Sequence, residues 1–377
     1  MRYLGDSSST SPKMEVVRRP LVTITISTYN SEATIDEVLN SLLQQDYPLK
    51  LIEVIVVDGH SIDGTVNKVR KFIEKHGNKF YDFKLVIHDR NYGASKARND
   101  GIRSARGKYI VILDSDVVLP PNAISNMVSF LESNPDVGCV QLLLEEDMPD
   151  VITKWRYEVN FGEIREVVAC TASAMIRREV IEKAGLYDES MGPPFTVDED
   201  LEFGARIWRA GYKCIQLGTI TGKHLGVRRD LWLANLMGRS RESKKSILFA
   251  YLGRLIGYFR KPHRITWLKV LKSMPLRMRL RYLFHSLFIP IILISFLGFF
   301  VPLPWYIVSI AIIGIAMIYI DALRDFMSHH KSFYISMVLA LLACINRSIR
   351  SLAILLTFID RLTNKQIETS LVLKDVK

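Results

Sequence analysis

The stretch YIVILDSDVVLPP, Tyr109–Pro121, sets a run of apolar and aromatic residues directly against two carboxylates, Asp114 and Asp116. A continuous apolar run of this length between turn signals reads as a strand buried on both faces. Paired negative charges at its tip then call for a partner just beyond it. Outward from this stretch the pattern repeats. LVTITIS (Leu21–Ser27), LIEVIVVD (Leu51–Asp58) and FKLVIH (Phe83–His88) have the same character. Between them lie helical patterns: Ile35, Val38, Leu39, Leu42 and Leu43 fall on one helical face, and further helices are predicted over Val66–Glu74 and around Ala94–Ser104. Strands alternating with helices predict an α/β fold, Rossmann-like, with a mostly parallel sheet and helices on both faces. The regularity then loosens, into strands near Val137–Leu144 and Val167–Met175, a helix around Leu201–Ala210 and a strand over Lys213–Leu217.

Ligands of such sheets bind outside the carboxyl ends of the strands. Thr28-Tyr29-Asn30, Asp58 and Asp114-Ser115-Asp116 each follow a predicted strand, so three polar clusters are expected to share one cleft. Hard divalent cations take oxygen ligands, and Mg²⁺ is commonly held by one or two carboxylates together with substrate phosphates. Asp114 and Asp116 therefore read either as a metal–diphosphate site or as a turn in which Asp114 caps the backbone before Pro120-Pro121. Lys96 and Arg98, among the small residues of NYGASKARNDG, either reach a phosphate chain or form a solvated basic face. Asp63 reads as a cap for the helix that follows it. Asp198, Glu199 and Asp200 supply carboxylates for a general base, although acidic residues also favour a helix's first turn through its dipole. His224 is either a metal or diphosphate ligand or a structural histidine.

The 377 residues exceed one average domain, and 49% are hydrophobic. The surplus lies in two apolar runs over 283–320, each near the ~20 residues that span a bilayer, joined by an uncharged VPLP turn. The formal net charge of +11 is concentrated before them: no acidic residue occurs between Glu242 and Asp321, and Arg260 through Arg281 include eight Lys and Arg. That asymmetry predicts a cell-membrane protein, multi-pass, with everything before Leu283 in the cytoplasm. Trp267, Leu268, Leu271 and Met274 share one helical face, which suits a basic amphipathic helix on anionic membrane lipids rather than a nucleic-acid surface. The expected organisation is a tail over 1–19, an α/β domain over 20–230, interface helices over 231–282, a membrane region over 283–360 and a tail over 361–377. The membrane region comprises the 283–320 hairpin and a third segment over 333–359, interrupted by Asn346, Arg347 and Arg350. Residues 1–13 lack the apolar core of a signal peptide, and the four cysteines show no C-x-x-C pair, so neither zinc nor a disulfide framework is indicated.

Six segments in order resemble the inverting nucleotide-sugar glycosyltransferases of family 2, with the GT-A fold. They are TISTYNSEATIDEVLNSLLQQ, VVDGHSIDGT, NYGASKARNDGI, GKYIVILDSDVVLPPNAI, ASAMIRREVIEKAGLYDE and DEDLEFGARIWRAGYK, spread over about Pro20–His224. The second departs from the family's usual VDDGS, with Gly59-His60 in place of the second Asp and the Gly. The resemblance implies that Thr28, Tyr29, Glu32 and Asp58 surround the nucleotide. Asp114 would contact ribose or metal, and Asp116, with His224, would ligate Mn²⁺ or Mg²⁺. It further implies that Asp200 is the general base and that Glu199 contacts the acceptor. With the predicted anchor, these expectations describe a membrane enzyme moving a sugar from a nucleotide-sugar donor to a lipid-linked, polyprenyl or dolichyl, acceptor. A dolichyl-phosphate mannose synthase-like enzyme acting on a bare polyprenyl phosphate is an alternative, as is a non-catalytic membrane scaffold with a nucleotide-binding domain. A processive polysaccharide synthase fits less well, because NLMGRSRESKK lacks the Gln-x-x-Arg-Trp expected after the base.

Overall fold

The computed structural model describes residues 19–147, 157–158, 160–168, 170, 172–191, 199–225, 274–277, 280 and 313–320. The elements run β1 (Val22–Thr28), α1 (Ile35–Leu43), β2 (Ile52–Asp58), α2 (Thr65–His76), β3 (Asp82–Ile87), α3 (Ala94–Ser104) and β4 (Tyr109–Asp114). There follow β5 (Val117–Val118), α4 (Ala123–Ser133), β6 (Val137–Glu146), β7 (Ile164–Val167), β8 (Ser173–Arg177), α5 (Arg178–Ala184), α6 (Glu199–Arg209) and β9 (Lys213–His224). One sheet holds all nine strands in the order β3-β2-β1-β4-β8-β6-β9-β5, with β7 also on β9.

The first four strands are parallel, as alternation predicts. Beyond β4 the sheet is mixed: β8 runs antiparallel to β4 and β6, β9 parallel to β6, and β5 antiparallel to β9. Period-two alternation inside the buried strands builds two cores. Val22, Ile24, Ile26, Val54, Val56, Tyr109, Val111 and Leu113 face a layer from α1, α2 and α4. Ile55, Val57, Ile110 and Ile112 face α3, α5 and α6. The predominance of apolar residues in β2 and β4 thus follows from burial on both sides, with Glu53 the buried charged exception inside β2. Gly101 lets α3 sit close on β1, where a Cβ would come within 2.9 Å of Thr25 Cβ.

Two expectations change. The single strand read over Val167–Met175 is two strands: β7 pairs with β9 and β8 with β4, and between them Cys170 N–H donates to Asp200 O. The linking residues are too apolar to betray the break. The last strand does not stop at Leu217 but reaches His224, because Gly218 forms a bulge rather than a terminus. A Cβ there would lie 2.0 Å from Asn160 O, so only glycine allows the approach.

Cys139, Cys170 and Cys214 are free and buried, with the Cys139 and Cys170 sulfurs 3.3 Å apart. Contact with Cys170 and Cys214, with burial, pushes the Cys139 thiol well above its ordinary value, so it stays protonated and unreactive. The amphipathic 231–273 stretch, the third apolar segment and most of the hairpin lie outside the described residues. Among those described, no helix is long and apolar enough to cross a membrane.

Candidate active site

Register brings the predicted clusters level. Thr28 pairs with Asp58 across β1 and β2, and Ser27 with Asp114 across β1 and β4. Beyond these tips opens a hollow of about 290 Å³ lined by Thr28, Tyr29, Gly59, Arg98, Asp114 and Asp116 among others. That volume is near the lower end for small-molecule pockets, about 300–1,000 Å³. The Asp114–Asp116 turn is pinned from several directions. Asp114 N–H donates to Ala172 O (3.0 Å) and Leu225 N–H to Asp116 O (2.8 Å). Thr34 Oγ1 donates to Ser115 O (2.7 Å), and the Ser31 and Ser115 hydroxyls meet at 2.7 Å. Nothing in the sequence marks Ser31 and Thr34 as partners of Ser115, which lies more than eighty residues away.

Asp114 does not cap its own turn. Its Oδ1 accepts from Arg98 Nη2 (3.1 Å), while Arg98 Nη1 donates to Glu199 Oε1 (2.7 Å) at the amino end of α6. Arg98 is buried, with Tyr187's ring 5.5 Å from its guanidinium carbon. Burial opposes its charge, yet Asp114, Tyr187 and Glu199 outweigh it and raise its pKa further above the ordinary value. Arg98 thus lines the hollow as a bridge between two carboxylates rather than as part of a solvated basic face. Lys96 is likewise committed, to Asp100 at 2.5 Å. Asp100 also takes His88 (2.9 Å) and Arg103 (2.9 Å).

His224 ends β9 with a carboxylate on either side: Nε2 lies 3.5 Å from Asp116 Oδ1, and Nδ1 lies 3.1 Å from Glu146 Oε2. Asp116 first, then Glu146, raise the imidazole to about 10 against the opposing effect of burial. Glu146 was missed in the sequence, although LLLEED (Leu142–Asp147) carries the opening signal again, an apolar strand running into carboxylates. Asp116 and His224 offer oxygen and nitrogen donors 3.5 Å apart, a little wider than the ~3.0 Å that neighbouring ligands at about 2.1 Å keep on an octahedral ion. Among the described residues no third His, Cys, Asp or Glu joins them in a metal-holding cluster. The pair therefore fits an ion whose remaining ligands are phosphates and water.

The other predicted residues divide. Asp58 is buried and its two oxygens accept from Ser61 N–H (2.8 Å) and Ser61 Oγ (2.6 Å). Glu32 turns its carboxylate to Gly64 N–H (3.0 Å). Asp63 caps α2, accepting from Thr65 N–H at 3.0 Å. Thr28 Oγ1, buried in the wall of the hollow, has no hydrogen-bond partner. Asp200 Oδ1 accepts from Leu201 N–H (2.8 Å) in the first turn of α6, beside the clamped Glu199.

Known proteins sharpen this picture. The sequence pattern of "Glycosyl transferase family 2" matches residues 23–185, and that of "Glycosyl transferase family group 2" matches 109–346, more than half of the 377 residues. The chain belongs to the family 2 glycosyl transferases. This glycosyl transferase is 31% identical over 199 residues to the UDP-Glc:α-D-GlcNAc-diphosphoundecaprenol β-1,3-glucosyltransferase WfaP of Escherichia coli, covering 51% of this chain and 72% of that one. It is 32% identical over 119 residues to the poly-β-1,6-N-acetyl-D-glucosamine synthase of Staphylococcus epidermidis, covering 32% of this chain and 27% of that protein. The transferase thus spans only about a quarter of that relative's length. Among solved structures, the mannosyltransferase PcManGT of Pyrobaculum calidifontis, in complex with GDP-Man and Mn²⁺, superimposes with a TM-score of 0.49 at 21% identity, over 89% of this chain and 88% of that one.

Proposed function

We propose that this glycosyl transferase works at the cytoplasmic face of a membrane, moving a sugar with inversion from a nucleoside-diphosphate donor to a lipid-linked acceptor. One observation carries this reading: Asp114 and Asp116 line a single hollow, and Arg98 ties that hollow to the α6 turn bearing Glu199 and Asp200. Thr28 and Tyr29 flank the nucleotide, and Asp114 meets its ribose. Asp116 and His224 would hold Mn²⁺ or Mg²⁺. When bound, such an ion offsets the negative charge that develops on the departing diphosphate.

A sugar hydroxyl is a poor nucleophile and needs a base opposite the leaving group. Asp200 takes that proton. Glu199, fixed by Arg98, stands next to it and orients the acceptor. Arg98 offsets the mutual repulsion of the Asp114 and Glu199 carboxylates that it bridges. The acceptor assignment draws on the apolar runs over 283–320 and their basic flank, since a polyprenyl-linked acceptor cannot leave the bilayer. The WfaP relative, named for a diphosphoundecaprenol acceptor, supports the same class.

The test is to incubate membranes containing the full chain with labelled UDP-, GDP- and dTDP-sugars, with and without EDTA, and to extract the lipid fraction. Label in lipid from one donor, abolished by EDTA, is the expected result. Binding without turnover for every donor, indifferent to EDTA, overturns it in favour of a scaffold. The Asp200→Asn variant separates acceptors. A hydroxyl acceptor predicts collapse of transfer, whereas a bare polyprenyl phosphate, already an oxyanion, needs no base.

A further inference from the structure

We propose that Glu146 is a positioning residue for the metal half-site, holding His224 by Nδ1 so that Nε2 is presented beside Asp116. The inference rests on the reading of Asp116 and His224 as ion ligands. The geometry comes from three neighbouring strands. β9 passes between β6 and β5, with His224 paired to Glu146 on one side and to Val117, next to Asp116, on the other. Residues directly opposed on adjacent strands project to the same face, so the Glu146 and His224 side chains are neighbours by register rather than by chance. Backbone hydrogen bonds fix the arrangement on both sides: Leu225 N–H to Asp116 O at 2.8 Å and Asp147 N–H to His224 O at 3.1 Å.

An imidazole has two distinct nitrogens, and a group that holds one decides what the other can do. Here each nitrogen has its own carboxylate, Asp116 at 3.5 Å from Nε2 and Glu146 at 3.1 Å from Nδ1. Asp116 lines the hollow, and Glu146 stands behind the ring. The Nδ1 contact is close but not aligned as a hydrogen bond. Rotation about the broad χ2 torsion of histidine brings Nδ1–H onto Oε2. An ion entering beside Asp116 would displace the Nε2 proton and take the lone pair, while Nδ1–H stays on Glu146. A carboxylate in this place fixes the ring's tautomer and raises the basicity of the ligating nitrogen, and losing it typically costs about 10–100-fold in metal affinity. Lys223, adjacent in sequence, pairs instead with Asp147 at 2.8 Å.

The experiment measures Mn²⁺ binding to the full chain by electron paramagnetic resonance, alone and with UDP or GDP. The proteins are wild type, Glu146→Gln, His224→Ala and the double variant, with unfolding temperature without added metal as the control for folding. The proposal expects Glu146→Gln to weaken Mn²⁺ about 10-fold or more while leaving the metal-free unfolding temperature near wild type. It also expects no further loss when Glu146→Gln is added to His224→Ala. Equal Mn²⁺ affinity in wild type and Glu146→Gln overturns the proposal and leaves the donor-site reading standing. An equal loss from Glu146→Gln with and without His224 also overturns it, since the carboxylate then acts only through its charge. Absence of Mn²⁺ binding by wild type, even with either nucleotide, overturns both.

Discussion

Two arginines meet buried carboxylates at opposite ends of the sheet, and their surroundings differ. At the amino ends of the strands, Glu53 is fully buried, yet Oε2 accepts from Thr23 Oγ1 (2.6 Å) and Arg106 N–H (2.8 Å), and Oε1 from Arg106 Nε (2.7 Å). Thr23 Oγ1 in turn accepts from Gly107 N–H at 2.8 Å. At the carboxyl ends, Arg98 spans Asp114 and Glu199 but its Nε has no partner, and neither have the buried Thr28 Oγ1, Ser95 Oγ and Tyr187 hydroxyl nearby. Buried polar groups in native proteins are nearly always paired. The Glu53 network is closed within the protein, whereas Thr28 Oγ1 and Arg98 Nε in the wall of the hollow are left unpaired.

That contrast is open to direct attack. The largest effect is expected from Asp200→Asn, which should lower kcat by about 10²–10⁴-fold, the usual worth of a general base, with nucleotide binding by calorimetry unchanged. Next comes Arg98→Met. It leaves Asp114 and Glu199 unneutralised and should destabilise the fold by about 3–5 kcal/mol, read by denaturant unfolding, and should weaken nucleotide binding as well. Glu53→Gln probes the closed network. Losing one acceptor in a satisfied network should cost about 1–3 kcal/mol of stability while kcat/KM at 25 °C stays at the wild-type level. A matching loss of transfer would dissolve the distinction between the two ends. Smallest is Thr28→Val, near-isosteric at an orphaned hydroxyl. Stability should change by less than about 1 kcal/mol, and the donor KM should rise about 3–10-fold, since the hydroxyl meets its partner only in the complex.

Much of this was legible before any coordinates. Apolar runs ending in Thr28, Asp58 and Asp114 gave the strands and the end of the sheet that carries chemistry, because burial on both faces leaves a strand no other composition. What escaped was set by register and by distance along the chain. The bridging role of Arg98 was hidden because its partners, Asp114 and Glu199, come from a neighbouring strand tip and a much later helix. The Lys96–Asp100 pair, by contrast, stands one helical turn apart and follows directly from the helix predicted around Ala94–Ser104. Glu146 and His224 meet only because β6 and β9 are parallel neighbours with a bulge that adjusts their alignment. The β7–β8 break was hidden since its five residues, VACTA, carry no Gly, Pro, Asn or Asp.

The placement of β9 bears on the order of events during synthesis. Among the described residues β5 pairs only with β9, and His224, the last residue of that strand, stands 3.5 Å from Asp116. A chain emerging from the ribosome can lay down β1 to β4 while Asp116 still lacks its neighbour, and domains commonly fold in that amino-to-carboxyl direction. On the proposed reading, the nascent protein cannot bring His224 beside Asp116 until nearly the whole α/β unit has been translated.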